Sequence, residues 1–458
     1  MVKKALIVMV AAEILSLLAF KFPVLQLPFL IISGIAALVI SFHNLEWGIY
    51  ILFGELFFGS RGHLLEYNFG FITLSLRLVI FSSVFAAWLI KAIKSRKSKV
   101  ESQSQKFNIL YGLLLAVIGF GIVNGLLRHN GLGNVFNDAN AYLYLLIAPA
   151  VLSVIKSRKQ VENLLDILAA AIVVIAAKTL ILFFWFTFAL PGVATAYHWI
   201  ISQDFGEITG DVGKASRVFM QSQFFALMGL FIFALREKKN WVVISAAILS
   251  IIMSLSRSFW LGLIAGGIFA FIMLLGYYRV NFKSVMTLGF KIALIAALEI
   301  GILLGIGSLG GGFADAVSSR GGNPATEAAG GARLLLLPEL WKEVKEFPIL
   351  GAGFGETVTY KSFLPDRITP KNPDGEITSY AFEWGYLDVA LKAGILGLII
   401  YLFFIVVIFE RGWGNFQTLG FLSALVALLA LNITTPYLNH PLGIGYLILA
   451  AAAFKTDG

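Results

Sequence analysis

The chain has 458 residues, 59% of them apolar and only 13% charged, with a formal net charge of +9 and no cysteine. A soluble globular chain carries about 25% charged residues, so the composition excludes a soluble enzyme, and the lack of cysteine excludes disulfides, thiolate nucleophiles and Cys-ligated metals. The positive charge does not imply a nucleic-acid partner, because the Lys and Arg residues fall mainly in short loops between apolar runs, where they orient a membrane protein.

Apolar runs of roughly 20 residues recur from end to end and predict an all-α polytopic membrane protein. Spans are expected near 5–21, 24–41, 46–59, 72–93, 107–126, 138–155, 161–189, 216–235, 241–255, 258–278, 285–308, 386–409, 415–433 and 439–455. The second and third are short and form either two spans or one re-entrant unit, so the expected count is roughly 12 to 14. Met1-Val-Lys-Lys before an apolar run resembles a signal peptide, but no small-residue cleavage site follows, and the segment is read as the first span. Basic clusters at Lys3-Lys4, Lys91 to Lys106, Lys156 to Lys159, Arg236 to Lys239, Arg279 to Lys283 and Arg411 all fall on one side if the spans alternate. That side is expected to be the cytoplasm. Both termini then lie inside, and 60–71, 127–137, 190–215, 309–385 and 434–438 lie outside. The expected organisation is an N-terminal bundle over 1–308, an extracytoplasmic loop over 309–385 containing short helices, and C-terminal spans over 386–458.

Residues 241–278 form one mostly apolar stretch with basic flanks at both ends. As a single helix it would run about 57 Å, nearly twice the hydrocarbon core. It is therefore read as a hairpin with its apex at Ser254-Leu-Ser-Arg257-Ser258. An Arg at such an apex is either a functional group or a headgroup-seeking interface marker.

The long polar stretch 309–385 holds ten acidic and seven basic residues, including Arg320 and Arg333, and so lacks the basic excess of the inner loops. A loop of this length is usually functional or disordered. Within it Leu337, Leu340, Trp341, Val344 and Phe347 share one face at helical spacing, which predicts a short helix along the membrane surface that Pro338 begins or kinks. This helix either packs to close the loop or contacts substrate. Gly351, Gly353 and Gly355 allow a tight turn or close backbone approach, but the strand and helix that would flank a dinucleotide site are missing. Glu13, Glu55, Arg77, Lys178 and Glu299 fall inside expected spans, either as a transport relay or as pairs between helices. Arg77 lies in the outer part of its span, where it could face a lipid headgroup. The five histidines show no metal-ligand spacing, and no phosphate loop occurs.

Three of these stretches together resemble the superfamily of O-antigen ligases and polymerases, bacterial membrane glycosyltransferases. They are Ser-Leu-Ser-Arg257-Ser258 between two spans, Arg333 fifteen residues before Pro348-Ile-Leu-Gly-Ala-Gly-Phe-Gly355, and Tyr386-Leu-Asp-Val-Ala-Leu-Lys-Ala-Gly394-Ile-Leu-Gly397 opening the span after the loop. The similarity covers about residues 215–410. It departs from the family eleven residues before Gly394, where the ligases often carry a His-Asn pair and this chain has Glu383-Trp384. A carboxylate can take the same proton if burial raises its pKa.

The resemblance implies a location in the bacterial cytoplasmic membrane. It also implies an undecaprenyl-diphosphate-linked glycan as donor and a glycan or lipid hydroxyl as acceptor, with membrane lipids around them. Arg257 and Arg333 are assigned to the diphosphate, since a guanidinium fork pairs two phosphate oxygens. Glu383 is assigned to the acceptor hydroxyl. Arg217, Arg320, Arg77 and Tyr380 are further substrate-binding candidates, and no metal or cofactor is expected. A peptidoglycan-type polymerase and a flippase or transporter of lipid-linked glycans are the competing readings.

Overall fold

The computed structural model describes residues 1–70, 73–95, 105–209, 213–214, 217–310, 328–362, 368–369 and 372–457. Arg320 and most of the glycine-rich opening of the long loop lie outside these residues. Among the described residues, eight helical stretches are long and apolar enough to cross a membrane: Pro23–His43, Leu76–Lys94, Gln105–Leu127, Leu132–Val154, Arg158–Thr187, Arg257–Tyr277, Phe282–Gly307 and Gly385–Gly412. Four shorter apolar helices accompany them, Gln223–Ala234, Trp241–Ser254, Phe416–Leu431 and Pro441–Thr456. The protein is an all-α polytopic membrane protein, as its hydropathy predicts.

The helix Gln223–Ala234 is buried along its whole length. It packs against Arg158–Thr187, Trp241–Ser254, Arg257–Ile272 and Leu419–Leu431. Phe282–Gly310 is the opposite case: little of it is buried, and it leans mainly on Trp241–Ser254. Its exposed Phe282, Met286, Phe290, Leu294, Leu298 and Ile302 recur every four residues and form one continuous apolar stripe. Such a stripe suits lipid as its solvent.

The expected break in 241–278 falls at Leu255, which takes a left-handed conformation (φ 44°), and a new helix starts at Arg257. The two arms do not form a closely packed hairpin. Trp241–Ser254 packs on Gln223–Ala234 and Arg158–Thr187, whereas Arg257–Ile272 packs on Leu419–Leu431. The 24–41 and 46–59 runs are two separate helices, parted at Asn44, whose side chain caps the second by accepting from the Glu46 N–H at 2.9 Å. The expected span 138–155 is broken by a 3-10 turn over Leu143–Ile147.

Three two-stranded antiparallel hairpins were not legible in the apolar pattern: Glu66–Asn68 with Thr73–Ser75, Gly206–Thr209 with Arg217–Met220, and Val358–Lys361 with Glu376–Ser379. The second changes an expectation. Arg217 is the first residue of a strand rather than the start of a span, and the helix behind it begins only at Gln223.

Ionisable side chains in the spans are partnered. Lys178 Nζ donates to both Glu13 carboxylate oxygens at 2.9 Å, Arg77 pairs with Glu55, and the Ser245 hydroxyl donates to Glu299 at 2.6 Å. Interhelical pairing is therefore the arrangement found for the residues that had left a transport relay open.

The loops gather at two ends of the bundle. At one end Lys106 meets Glu410, Arg158 meets Gln417, Arg236 meets Glu162, and Lys455 donates to the Leu152 carbonyl. The long loop, the turn at Leu255 and the segment 432–440 meet at the other end.

Candidate functional site

The long loop is anchored before it is functional. Its helix, Ala328–Glu346, starts ten residues before Pro338, and the proline sits inside an uninterrupted helix. The face that packs is Leu336, Leu340 and Val344, against Val358, Tyr360, Phe382 and Leu391. Trp341, expected on the same apolar face as Leu340 and Val344, is 48% exposed, whereas Leu336, outside the expected set, is buried.

The helix runs into Pro348–Gly355, and this turn inserts between two spans. Gly351, Gly353 and Gly355 all have positive φ (76°, 88° and 77°). The Ala352 N–H donates to the Leu391 carbonyl at 2.6 Å, and Phe354 N–H to Gly121 at 3.0 Å. Asn124 and Asn130 donate their amides to the Gly351, Ala352 and Phe354 carbonyls. The span Gly385–Gly412 opens to receive the turn. Its helix is interrupted at Gly394 (φ 72°, ψ 174°), and the Ile395 N–H beyond the break donates to the Pro348 carbonyl at 2.8 Å. The glycine triplet is thus a close-approach device and not a phosphate loop. A Cβ on Gly353 would fall 2.3 Å from the Gly125 nitrogen. Gly353→Ala is expected to lower the thermal midpoint in detergent by many degrees. Gly267→Ala, with nothing within 4 Å of the added carbon, should leave it nearly unchanged.

This anchoring brings Arg333 and Glu383, fifty residues apart, into an ion pair. The Arg333 Nε donates to Glu383 Oε2, and the Trp384 indole N–H donates to the Arg333 carbonyl at 2.9 Å. The side chains are 29% and 48% exposed, so the pair faces an open surface. The burial expected of a carboxylate base at Glu383 is absent here, because the residue precedes the first turn of the next span and its side chain points toward Arg333 at the surface. Tyr380 is half-buried just after the strand Glu376–Ser379.

Arg257 opens its helix and is half-buried. Beside it the Ser258 hydroxyl lies 3.0 Å from the Thr434 and 2.7 Å from the Thr435 hydroxyl. Arg217 donates from Nε to the Ser254 carbonyl at 2.7 Å and from Nη1 to Glu207 at 3.2 Å, so it braces the strand against the Arg257 turn.

Arg77 departs from its expected place at a lipid headgroup. It is 6% exposed and gives Nε and Nη2 to the Glu55 carboxylate, with Nη2 also donating to the Ser60 carbonyl at 2.8 Å. The reason is the partner: Glu55 on the preceding helix cannot stay buried without a counter-charge.

The segment 432–440, of which only 434–438 was expected to lie outside the spans, joins these parts. Asn439 donates its amide to the Gly385 carbonyl at 3.1 Å and to Asp388 at 2.5 Å. Thr434 and Thr435 meet Ser258, and Tyr437 donates to Gln221 Oε1 at 3.1 Å while stacking on Phe224 at 4.5 Å. At its end the His440 Nδ1 accepts from the Leu442 N–H at 3.3 Å. None of these residues carries a spacing motif that would have singled it out. Among the described residues no three His, Asp or Glu side chains converge as a metal-ligand set.

Fold and site define a polytopic membrane protein with an Arg–Glu pair and further arginines at one end of its helices. Residues 242–402 match the O-antigen ligase family, a segment that contains Arg257, Arg333 and Glu383. The match makes this part of the chain similar to the O-antigen ligase family and supports the resemblance read from the sequence. No match is found among curated proteins.

Proposed function

We propose that the protein is a membrane glycosyltransferase that moves a glycan from undecaprenyl diphosphate to an acceptor hydroxyl at the outer face of the bacterial cytoplasmic membrane. The observation that carries this reading is the Arg333–Glu383 pair, a phosphate-binding group beside a proton acceptor on a loop locked to a membrane span. The family match over the same residues supports it. The basic loops meeting at the opposite end agree with a cytoplasmic placement of that end.

In this reaction the acceptor oxygen bonds to the sugar carbon bearing the diphosphate, and the carbon–oxygen bond to the diphosphate breaks. The electron pair leaves with the lipid diphosphate, and the hydroxyl proton passes to Glu383 once the bound substrates bury its carboxylate. Arg333 and Arg257 take the developing phosphate charge, a role that a fixed guanidinium fills without proton movement. Arg217 acts behind Arg257, through the Ser254 carbonyl. Arg320 and Tyr380 remain candidates for the glycan. Arg77 is left out of the substrate contacts, since it is buried and its Nε and Nη2 serve Glu55 and Ser60.

Glu383→Gln tests the assignment. It keeps the shape and the contact with Arg333 but takes up no proton. General-base catalysis contributes about 10²–10⁴-fold, so the initial rate is expected to fall at least about 10²-fold while donor binding persists. An unchanged rate and pH profile would remove Glu383 from the chemistry.

A further inference from the structure

Three buried charges lie beneath the site and take no part in the transfer as written above: Asp138, Asp388 and Lys392, with side chains 6%, 5% and 4% exposed. Lys392 Nζ lies 2.7 Å from Asp138 Oδ1 and 2.6 Å from Asp388 Oδ1. The remaining contacts of the cluster run in two directions. Asp138 Oδ2 accepts from the Gly355 N–H at 2.8 Å, at the end of the inserted turn that follows the Arg333 helix. Asp388 Oδ2 accepts from Asn439 at 2.5 Å, and the same amide holds the Gly385 carbonyl two residues after Glu383. Lys392 Nζ also lies 5.4 Å from the ring centroid of Phe382, the residue before Glu383. One cation thus touches the supports of both members of the surface pair.

A buried ion cluster is poor evidence for stability, since apolar side chains of the same volume commonly do as well. Its better-attested use is to fix one arrangement among several. The Trp384–Arg333 hydrogen bond and the packing of the helix on Phe382 join the two segments, but the exposed Arg–Glu contact adds little to fix their register.

We infer that Asp138, Lys392 and Asp388 are positioning residues that set the separation of Arg333 and Glu383. The inference rests on the transfer reading for its effect on rate, but not for its effect on geometry. The cluster carries two carboxylates and one ammonium. Removing either Asp leaves a balanced pair; Asp138 is the one that holds the Gly355 N–H, and Asp138→Ala, which keeps Lys392 with Asp388, is expected to fold and insert. It leaves the Gly355 N–H without its acceptor. Asp138→Asn keeps a carbonyl oxygen at that place.

The chain has no cysteine, so Glu339→Cys and Ala381→Cys, both at exposed positions, introduce the only two labelling sites. Electron–electron distance measurement between nitroxides at these sites reads the separation of the two supports without turnover. Asp138→Ala is expected to broaden the distance distribution and Asp138→Asn to restore it. Asn439→Ala, which leaves all three charges in place, is expected to broaden it from the Glu383 side. With the label-free protein and a lipid-diphosphate-linked glycan, Asp138→Ala should lower kcat at least tenfold and Asp138→Asn should recover most of it. Distributions as narrow as the parent's in both Asp138→Ala and Asn439→Ala would overturn the inference, as would an Asp138→Asn distribution as broad as that of Asp138→Ala. If the distances respond as expected but the parent protein turns over no glycan donor, the positioning role stands and the transfer reading fails.

Discussion

Replacing Arg333 by Ala is expected to lower release of lipid diphosphate by about 10²–10³-fold, the usual loss when one fixed donor to a developing charge is removed. The protein should still fold and insert. Among the described residues the Arg333 side chain pairs with the exposed Glu383, and such surface pairs contribute about 0–1 kcal/mol. The helix that carries it keeps Leu336, Leu340 and Val344 packed in either case. The loss should appear in kcat and in donor binding together, since a guanidinium on the diphosphate acts before and during the bond change. Arg333→Lys should recover little, because a point charge does not reproduce the two-oxygen fork. Initial rates on purified protein, with a melting curve of the same sample, check both halves; wild-type turnover in Arg333→Ala would remove this residue from the site.

Arg77→Met has the opposite signature, a large loss of stability. It strips the counter-charge from Glu55, whose side chain is 4% exposed. Breaking one side of a buried ion pair costs about 3–5 kcal/mol, chiefly because the other charge stays behind unpaired. Glu55→Gln in the same protein removes that charge and should restore much of the melting temperature. If Arg77 instead served a lipid headgroup, Glu55→Gln would give no rescue, and the single substitution would weaken substrate binding rather than folding. Melting temperatures of the single and double variants decide between the two.

The long helices were legible because a span declares itself over some twenty residues, and the turn at Leu255 followed from the length of 241–278 together with the basic residues at both its ends. Arg257 stood out as a charge between two apolar runs, whereas Arg333 and Glu383 were singled out by the resemblance to the O-antigen ligase superfamily. What could not be read was anything set by partners distant in sequence. Gly394 looks like any glycine in a span, yet its backbone is shaped by Ile349, from the inserted turn, against which an added Cβ would clash. Asp388 and Lys392, four apart, read as an ordinary helical pair until Asp138 arrives from another helix. The strand at Arg217 was hidden because Val218, Phe219 and Met220 are as apolar as the helix they precede. The segment 432–440 was passed over because its threonines and asparagines gain their importance only from Ser258, Gly385 and Asp388, which they meet in space.

The most direct measurement reconstitutes the purified protein with an undecaprenyl-diphosphate-linked oligosaccharide from its own host, without added metal. It follows the freed lipid diphosphate and the size of the glycan products. The account predicts release of the diphosphate in step with transfer of the glycan, as a ladder of lengthening chains or as a single block moved to a separate acceptor. Tight, Arg333-dependent binding of the donor with no bond broken, or passage of the intact lipid across the bilayer, would contradict it.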